Sequence, residues 1–536
     1  MPLRESALPN TPPEGPGILS AIVRRYGGEP TIIDLNGYRI KDKLSEKRGL
    51  PNGRHLTYQE AEDMISKHIE NVGDQDVIAF SGKITTLRWQ EEVAKIVRRI
   101  QPDCFLVTGN GLATEIKGGL FTWIPELDAI ARSEGDGIIL DICKDGKLVK
   151  EKGIKKAVNS GKLSKGYSGE ILNKHRFIYE GFRPSNLDDI PYAAIDLLES
   201  DPYGYNVLED YINTPVWGIA ANNSSATPFT MKRSLTSVSS RGCPYNCAFC
   251  YRGAQGERNY GMRSCEHIAL QIRGYVDKYD LDFIGFPDDN FAVDKRRIKK
   301  MVPVFKEYGL DHVRWGTHTR MDEADARAYD MAESGCVYIG FGAESADEYT
   351  LTRMQKGGFI LKNGLVPTKV NGNTYQFPKT MMTAVETCAD AGIHANCTWI
   401  MAYPGEDLKH LKTSVAFILW QQQFWTKGHQ KGTETYERLR DGVNRAMFTA
   451  TAYPGTEMWK VVRRDLQKHF NINFDGMGEP VCDDNFHNYV LELDDATKIL
   501  NDKDGNPVNF GEMSMDKFLQ AREHIDNDNI EKILEM

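Results

Sequence analysis

No stretch of this 536-residue chain reaches eighteen consecutive apolar residues, the run length that reads as a membrane-spanning helix. Membrane insertion is therefore not expected. The opening residues Met1-Pro-Leu-Arg-Glu-Ser6 have neither the basic region nor the apolar core of a secretory signal, which predicts a cytoplasmic protein. Basic residues are in deficit: 66 Lys and Arg stand against 75 Asp and Glu, so the net charge of −9 offers no overall field to recruit nucleic acid. Cysteine is scarce as well. Ten in so long a chain cannot form a disulfide scaffold, and Cys104, Cys143, Cys336, Cys388 and Cys397 fall in apolar runs that read as buried. The length exceeds what one hydrophobic core ordinarily serves and predicts two or three domains.

Against that scarcity, three thiols crowd into Ser240-Arg-Gly-Cys-Pro-Tyr-Asn-Cys-Ala-Phe-Cys250. Cys243, Cys247 and Cys250 supply three thiolates and stop, so a cubic iron-sulfur cluster held there would keep one iron open to a reacting ligand. A structural zinc site is the alternative. It needs a fourth ligand, for which Cys265 and His267 are the nearest candidates. Gly242 and Pro244 form a tight turn after the β-rich run Ser234 to Ser240, and Phe249 immediately precedes the third cysteine. With these residues the segment resembles the loop of the radical S-adenosylmethionine (SAM) superfamily. The resemblance implies a 4Fe-4S cluster on Cys243, Cys247 and Cys250, SAM chelated to the open iron, and Phe249 near the adenine.

Downstream, short apolar runs alternate with amphipathic helical patterns, the signature of parallel strands joined by crossover helices. Strands are read near 234–241, 282–286, 312–319, 336–341, 394–401 and 446–451, with helices near 265–279, 294–308, 323–334, 379–391 and 407–423. Asp294, Asp322 and Thr380 are candidate N-caps. Six such units resemble the partial (β/α)6 barrel of the same superfamily, whose reactive groups belong on the loops after the strands. The resemblance assigns Asp288 and Asp289, in Phe286-Pro-Asp-Asp-Asn-Phe291, to the SAM amino group. It assigns Glu344 and Ser345, in Gly340-Phe-Gly-Ala-Glu-Ser345 followed by Leu351-Thr-Arg-Met-Gln-Lys-Gly357, to the ribose and methionine moiety, although Gly342-Ala343 ahead of the acid departs from the usual pattern. The backbone of Met401 to Tyr403 would lie over the adenine, Arg320 would pair with the SAM carboxylate, and His318 shares the face of Arg320.

The first third carries a different pattern. Helix is predicted over Gly17 to Arg25, strand over Pro30 to Leu35, and a capping box at Thr57-Tyr-Gln-Glu60 opens a second helix. Strand Asp76 to Ser81, helix Arg88 to Ile100, strand Cys104 to Thr108 and strand Gly137 to Asp141 follow. This is a doubly wound, Rossmann-like parallel sheet, whose ligands bind at the carboxyl ends of the strands. Those ends read Ser81-Gly-Lys-Ile-Thr-Thr86, Gly109-Asn-Gly-Leu-Ala-Thr114 and Arg132-Ser-Glu-Gly135. Placed ahead of a radical SAM core, the set resembles the cobalamin-binding domain of cobalamin-dependent radical SAM enzymes. Ser81, Thr85, Thr86, Gly109 and Gly111 would then line the slot for the nucleotide tail. The Asp-x-His-x-x-Gly pattern that ligates cobalt from below is replaced by Asn10-Thr-Pro-Pro-Glu-Gly15, and no histidine occurs between His68 and His175, so cobalt would lack a histidine ligand from this domain. The first strand of such a sheet would have to fit within Met1 to Leu8.

The resulting organisation is a cobalamin-binding-like domain over 1–150, a connector over 151–233, a radical SAM core over 234–455 and a small α+β C-terminal region over 456–536. Residues Gln355 to Pro378 read as an inserted hairpin or lid. The resemblance implies cleavage of SAM to a 5'-deoxyadenosyl radical, an electron donor such as flavodoxin or ferredoxin, and a small-molecule substrate. It further implies transfer of a cobalamin-borne methyl group to an unactivated carbon or to phosphorus. Oxidative cyclisation or rearrangement with the same cofactors, or a non-catalytic cobalamin-binding scaffold, are the other readings.

Overall fold

The computed structural model describes residues 11–37, 56–214, 231–251, 260–494 and 498–536. They form two compact units, the first from Met1–Asn213, Tyr251–Glu257 and Leu466–Asp495, the second from Thr214–Cys250, Arg258–Asp465 and Ala496–Met536. Among the described residues no helix is long and apolar enough to cross a membrane.

The first unit is built on a five-stranded sheet of order β1-β2-β3-β5-β4. Strands β1 (Val77–Ser81), β2 (Phe105–Gly109), β3 (Ala129–Arg132) and β5 (Lys174–Glu180) run parallel, and β4 (Tyr167–Ile171) returns antiparallel to β5. Both faces of the sheet are covered. Thr108 donates to the buried Gln90 at 2.7 Å, which seats the helix Leu87–Ile100 on one face. On the other face Phe105, Val107, Ala129 and Phe177 pack with Ile138 and Ile142, at the head of the helix Ile139–Lys152. Gly146 permits that approach, since a Cβ there would lie 2.3 Å from Val77. The expected capping box is formed, with Glu60 N 3.2 Å from Thr57 Oγ1 and Thr57 N 2.8 Å from Glu60.

Three expectations are corrected here. Gly137 to Asp141 leads into a helix, because Ile139, Ile142, Gly146 and Val149 repeat at helical spacing; the third strand is Ala129–Arg132. Pro30 to Leu35 is not a strand: Asp34 is buried and accepts from Tyr211 Oη at 2.6 Å and from Asn36 N at 3.0 Å, a local turn that competes with sheet pairing. The stretch expected as a connector after residue 150 supplies β4 and β5, so the first sheet extends to Glu180. The strand expected within Met1 to Leu8 lies outside the described residues.

In the second unit, β6 (Ser234–Thr236) is followed by a short antiparallel pair, β7 (Ser240–Arg241) and β8 (Gly261–Met262). Then come β9 (Phe283–Phe286), β10 (Arg314–Thr319), β11 (Cys336–Glu344), the hairpin β12 (Leu365–Val370) and β13 (Asn373–Pro378), β14 (His394–Met401) and β15 (Phe448–Thr449). A curled parallel sheet of six strands, order β15-β14-β11-β10-β9-β6, forms a half-barrel, with helices in the crossovers. Ile339, Phe341, Cys397 and Trp399 are all buried, as expected of strands covered by helices. Asp294 caps its helix through Arg296 N and Arg297 N, at 2.8 and 3.0 Å. Asp322 instead pairs with Arg320, and Thr380 lies inside a helix that begins at Lys379. The insertion forms the β12–β13 hairpin, which lays Phe377 edge-on against Phe417 of the helix Leu408–Thr426. The C-terminal region is divided: Leu466–Asp495 packs within the first unit, where Phe486 meets Trp123 and His487 lies 2.5 Å from Glu91, and the remainder joins the second.

Candidate active site

The three-cysteine loop is pinned through its backbone. Gly242, at φ +79°, donates its N–H to Asp289 at 3.1 Å; Ala248 N donates to Met354 O at 2.9 Å, and Met458 N donates to Ala248 O at 2.8 Å. Cys243 and Cys247 are half-buried and Cys250 is exposed, whereas Cys104, Cys265, Cys336, Cys388 and Cys397 are buried. Burial pushes the Cys243 thiol above its usual range, and the Arg320 guanidinium works in the opposite direction. Arg320 stacks 3.9 Å over the ring of Tyr245, pairs with Asp322 at 2.9 Å and points Nη1 at Cys247 Sγ, 3.7 Å away. The candidate fourth ligands for zinc are engaged elsewhere: Cys265 is buried against Arg297 O at 3.4 Å, and His267 accepts from Arg263 at 3.0 Å. Among the described residues no three His, Cys, Asp or Glu side chains converge on a point fit for one metal ion. A cubic cluster takes each thiolate at a different iron, so three cysteines of one pinned loop, two half-buried, one exposed and none in a disulfide, fit it.

The other expected SAM contacts divide. Asp288 is 2 % exposed and accepts from Ser239 N at 2.8 Å, Ser239 Oγ at 2.5 Å and Ser240 Oγ at 2.6 Å, so it ties down the approach to the loop and has no free face for a ligand. Asp289, its exposed neighbour, holds Gly242. Ser345 is fully buried against Ser414 Oγ at 3.1 Å and accepts from Asp347 N, a packing role in place of the expected contact with SAM. Met401 O is taken by Ala450 N at 2.9 Å and Tyr403 O by Glu406 N at 2.8 Å, which commits the backbone expected over the adenine to the turn itself. The ring of Tyr403 meets that of Phe249 edge-on at 6.5 Å. Arg320, expected to hold the SAM carboxylate, is spent on Asp322 beside Cys247. His318 lies opposite Gly340 in the register, where a Cβ would come 2.5 Å from its ring, and burial lowers its pKa to about 4.

Glu344 comes into the site through an irregular strand end. The register of β11 against β14 slips between Gly342 and Glu344, at the Gly-Ala departure noted above, and Glu344 takes φ +65°. A bulge of this kind re-aims one side chain. The carboxylate lies 3.4 Å from Lys356 Nζ, and Lys356 in turn sits 5.8 Å over the ring of Phe249. Lys356 was missed among the candidates. Its signal was the basic residue closing Leu351-Thr-Arg-Met-Gln-Lys-Gly357.

Glu406 is a second buried carboxyl nearby. Its Oε2 accepts from Ala402 N at 2.6 Å and fixes Ala402 at φ +60°, while among the described residues its Oε1 has no hydrogen-bond partner. Burial raises its pKa to about 8. A carboxyl raised in the folded state makes the native protein bind more protons than the unfolded one between pH 4.5 and 8, so stability falls as pH rises through that window, by at most about 1.4 kcal/mol per unit. Glu406→Gln is expected to remove this component, flattening the wild-type decline of melting temperature between pH 5 and 8; an unchanged profile would refute the assignment.

At the strand ends of the first unit, Asn110 takes φ +78°, donates to Ser81 Oγ at 3.1 Å and accepts from Gly111 N at 2.6 Å. Ser133, at φ +60° after β3, donates its N–H to Thr114 Oγ1 at 2.9 Å, and its buried Oγ has no hydrogen-bond partner among the described residues. Thr85 is half-buried; Thr86 is buried and bonded to Lys83 O and Gln90, a packing role and not the expected slot contact. A Cβ at Gly111 would lie 2.4 Å from Tyr251 Oη, so Gly111 serves a contact of the chain with itself. Gly109 differs: a Cβ there would meet only Ala131, at an ordinary 3.6 Å. An orphaned hydroxyl and a glycine that internal packing does not require mark the strand ends as a cradle that a nucleotide tail fits.

Residues 237–418 match the Radical SAM superfamily. Among curated proteins, an uncharacterized methyltransferase of Pyrococcus horikoshii is 25% identical over 470 residues, covering 86% of this chain and 81% of that protein. Among solved structures, the cobalamin-dependent SAM radical enzyme OxsB superposes with a TM-score of 0.59 at 17% identity, over 88% of this chain and 61% of that one, so this chain spans about three-fifths of its length. The radical SAM methyltransferase TsrM of Kitasatospora setae superposes with a TM-score of 0.54 at 12% identity, over 85% of this chain and 74% of that one.

Proposed function

We propose, from a chain that belongs to the radical SAM enzymes and shares the fold of their cobalamin-dependent members, that it transfers a methyl group to an unactivated carbon or phosphorus centre of a small molecule. The pinned three-thiol loop at the rim of the half-barrel carries this reading. Cys243, Cys247 and Cys250 would hold a 4Fe-4S cluster, with Phe249, Glu344 and Lys356 beside the SAM site. Ser81, Thr85, Gly109 and Asn110, with the free hydroxyl of Ser133, would cradle cobalamin, with no histidine below the cobalt. When bound, the two cofactors supply homolytic cleavage of SAM and a methyl carrier. The chain's own work is placement: backbone bonds fix the loop, the bulge at Gly342 aims Glu344, and Arg320 sets a positive charge beside Cys247. Cysteines that hold a cluster in place of disulfides require the reducing conditions of a cytoplasm, and reduction of the cluster requires a donor such as flavodoxin or ferredoxin.

The Pyrococcus horikoshii methyltransferase, which matches over 86% of this chain, supports this reading over cyclisation, the activity named for relatives that match over 54% and 58% of it. Anaerobic reconstitution with iron, sulfide, cobalamin and a reductant, followed by incubation with SAM and candidate substrates, tests it. Methyl transfer should yield S-adenosylhomocysteine and 5'-deoxyadenosine together. 5'-Deoxyadenosine alone would indicate cyclisation or rearrangement, and neither product would indicate a scaffold; both outcomes defeat the proposal.

A further inference from the structure

The amino ends of strands β2, β3 and β5, the sheet edge opposite the cradle, border a cavity of about 510 Å³ within the first unit. Four cations line it: Arg98, Lys150, Lys174 and Arg176. Two of them are answered by carboxylates, since Arg98 pairs with Asp128 and Lys150 lies 3.6 Å from Asp76. The other two are not. Among the described residues neither Lys174 nor Arg176 has a carboxylate within ion-pair distance, and Lys174 Nζ donates to a backbone oxygen, Pro125 O, at 3.1 Å.

Arg176 is the sharper case. It is 2 % exposed, its Nη1 donates to Leu127 O and its Nη2 to Pro125 O at 3.2 Å, and its guanidinium lies 4.9 Å from the ring centroid of Phe121. Its Nε has no hydrogen-bond partner among the described residues. Carbonyl oxygens and a ring face steady a cation but do not cancel its charge, and a buried charge without a counter-ion is costly. Asp128 cannot serve it, being spent on Arg98 and on Leu106 N at 2.9 Å, and Asp103 is exposed.

The same wall holds Glu126, whose carbonyl accepts from Arg98 Nε and Nη2 at 2.9 and 2.7 Å, while its buried Oε2 has no hydrogen-bond partner among the described residues. One cavity therefore presents an unsatisfied guanidinium N–H and an unsatisfied carboxylate oxygen that do not meet each other. A bare anion suits the first and is repelled by the second. An anion that also carries a hydroxyl suits both: hydrogen phosphate does so near neutral pH, and sulfate does not. The volume leaves room for an organic group on the phosphate, within the range of small-molecule sites.

Independently of the function proposed above, we infer that this cavity binds a small phosphate, free or as a monoester, with its oxygens on Arg176 and Lys174 and a hydroxyl donated to Glu126.

Titration calorimetry on the full chain at pH 7 and fixed ionic strength tests it, with inorganic phosphate, sulfate and glycerol 3-phosphate as probes. Wild type should bind phosphate saturably and prefer it to sulfate by about 10- to 100-fold, the range of a hydrogen bond to a charged group. Glu126→Gln removes the repulsion and leaves the carbonyl to Arg98, so it should bring the two anions within a few-fold of each other. Lys174→Met, at an exposed position with one backbone contact, should weaken both by about tenfold or more without loss of fold. Tighter binding of glycerol 3-phosphate would assign the site to a phosphate ester, and tighter binding of inorganic phosphate to the free ion; both support the inference. No saturable binding, equal affinity of wild type for phosphate and sulfate, or affinities untouched by the two substitutions would overturn it.

Discussion

Cys247→Ala should reduce SAM cleavage to the level of cluster-free protein, a loss of at least about a thousandfold for chemistry that resides wholly in its cofactor. The expectation is sharp because the loop should survive the change. Its shape is set by Gly242 N on Asp289, Ala248 N on Met354 O and Met458 N on Ala248 O, none of which involves a thiol. Arg320 keeps Asp322 and the ring of Tyr245 without Cys247. The variant is therefore expected to match the wild type in circular dichroism, to hold less iron and sulfide, and to release no 5'-deoxyadenosine. Cys265→Ala is the control, since that thiol is buried against Arg297 O, and it should leave turnover intact. Persistent cleavage in Cys247→Ala would remove the cluster assignment, and equal inactivation of both variants would remove its specificity.

The second large effect concerns stability. Asp288→Ala should destabilise the protein by about 3–5 kcal/mol, as expected when one member of a buried charge network is deleted. The carboxylate collects the Ser239 amide and both serine hydroxyls, while Arg297 reaches the Ser239 hydroxyl from the other side. Without it, the Ser239 amide and both serine hydroxyls lose their common acceptor, and Arg297, only 4 % exposed, keeps a hydroxyl partner that no longer rests on a carboxylate. Asp289→Ala, one residue on, removes an exposed carboxylate with one contact to Gly242 and should cost less than about 1 kcal/mol. Denaturant titration of the two variants side by side decides the matter: equal midpoints would show that Asp288 is not the anchor described here.

That pair also shows what could be read from the sequence and what could not. The cysteine spacing, the six strand-helix units and the capping box at Thr57 are local patterns, and each reappears in the structure where it was expected. Two adjacent aspartates are locally equivalent. Only the tertiary setting, Ser239 and Ser240 on one side and Arg297 on the other, makes Asp288 internal and leaves Asp289 outside. Ile138-Ile139-Leu140 is an apolar run that suits a strand or the head of a helix, and its packing on Phe105 and Val107 decides for helix. Strands β4 and β5 went unread because their Lys, Gly and Asn content resembles a linker; β4 is an edge strand with one partner and little need of an apolar face. Lys356 shows the opposite limit: a charged residue in a polar run reads as solvated, and only the turn at Gln355 brings it inward.

The turn that Glu406 fixes has its final supports far along the polypeptide. Gly511 lies so close that a Cβ on it would approach Glu406 O to 2.9 Å and the Ala402 Cα to 3.1 Å, and Glu512 N donates to Glu406 O at 2.8 Å. During synthesis the half-barrel strands emerge long before these residues leave the ribosome. This stretch of the half-barrel rim is therefore completed last, and a nascent chain stalled short of Gly511 would display its cysteines on a rim that has not yet closed.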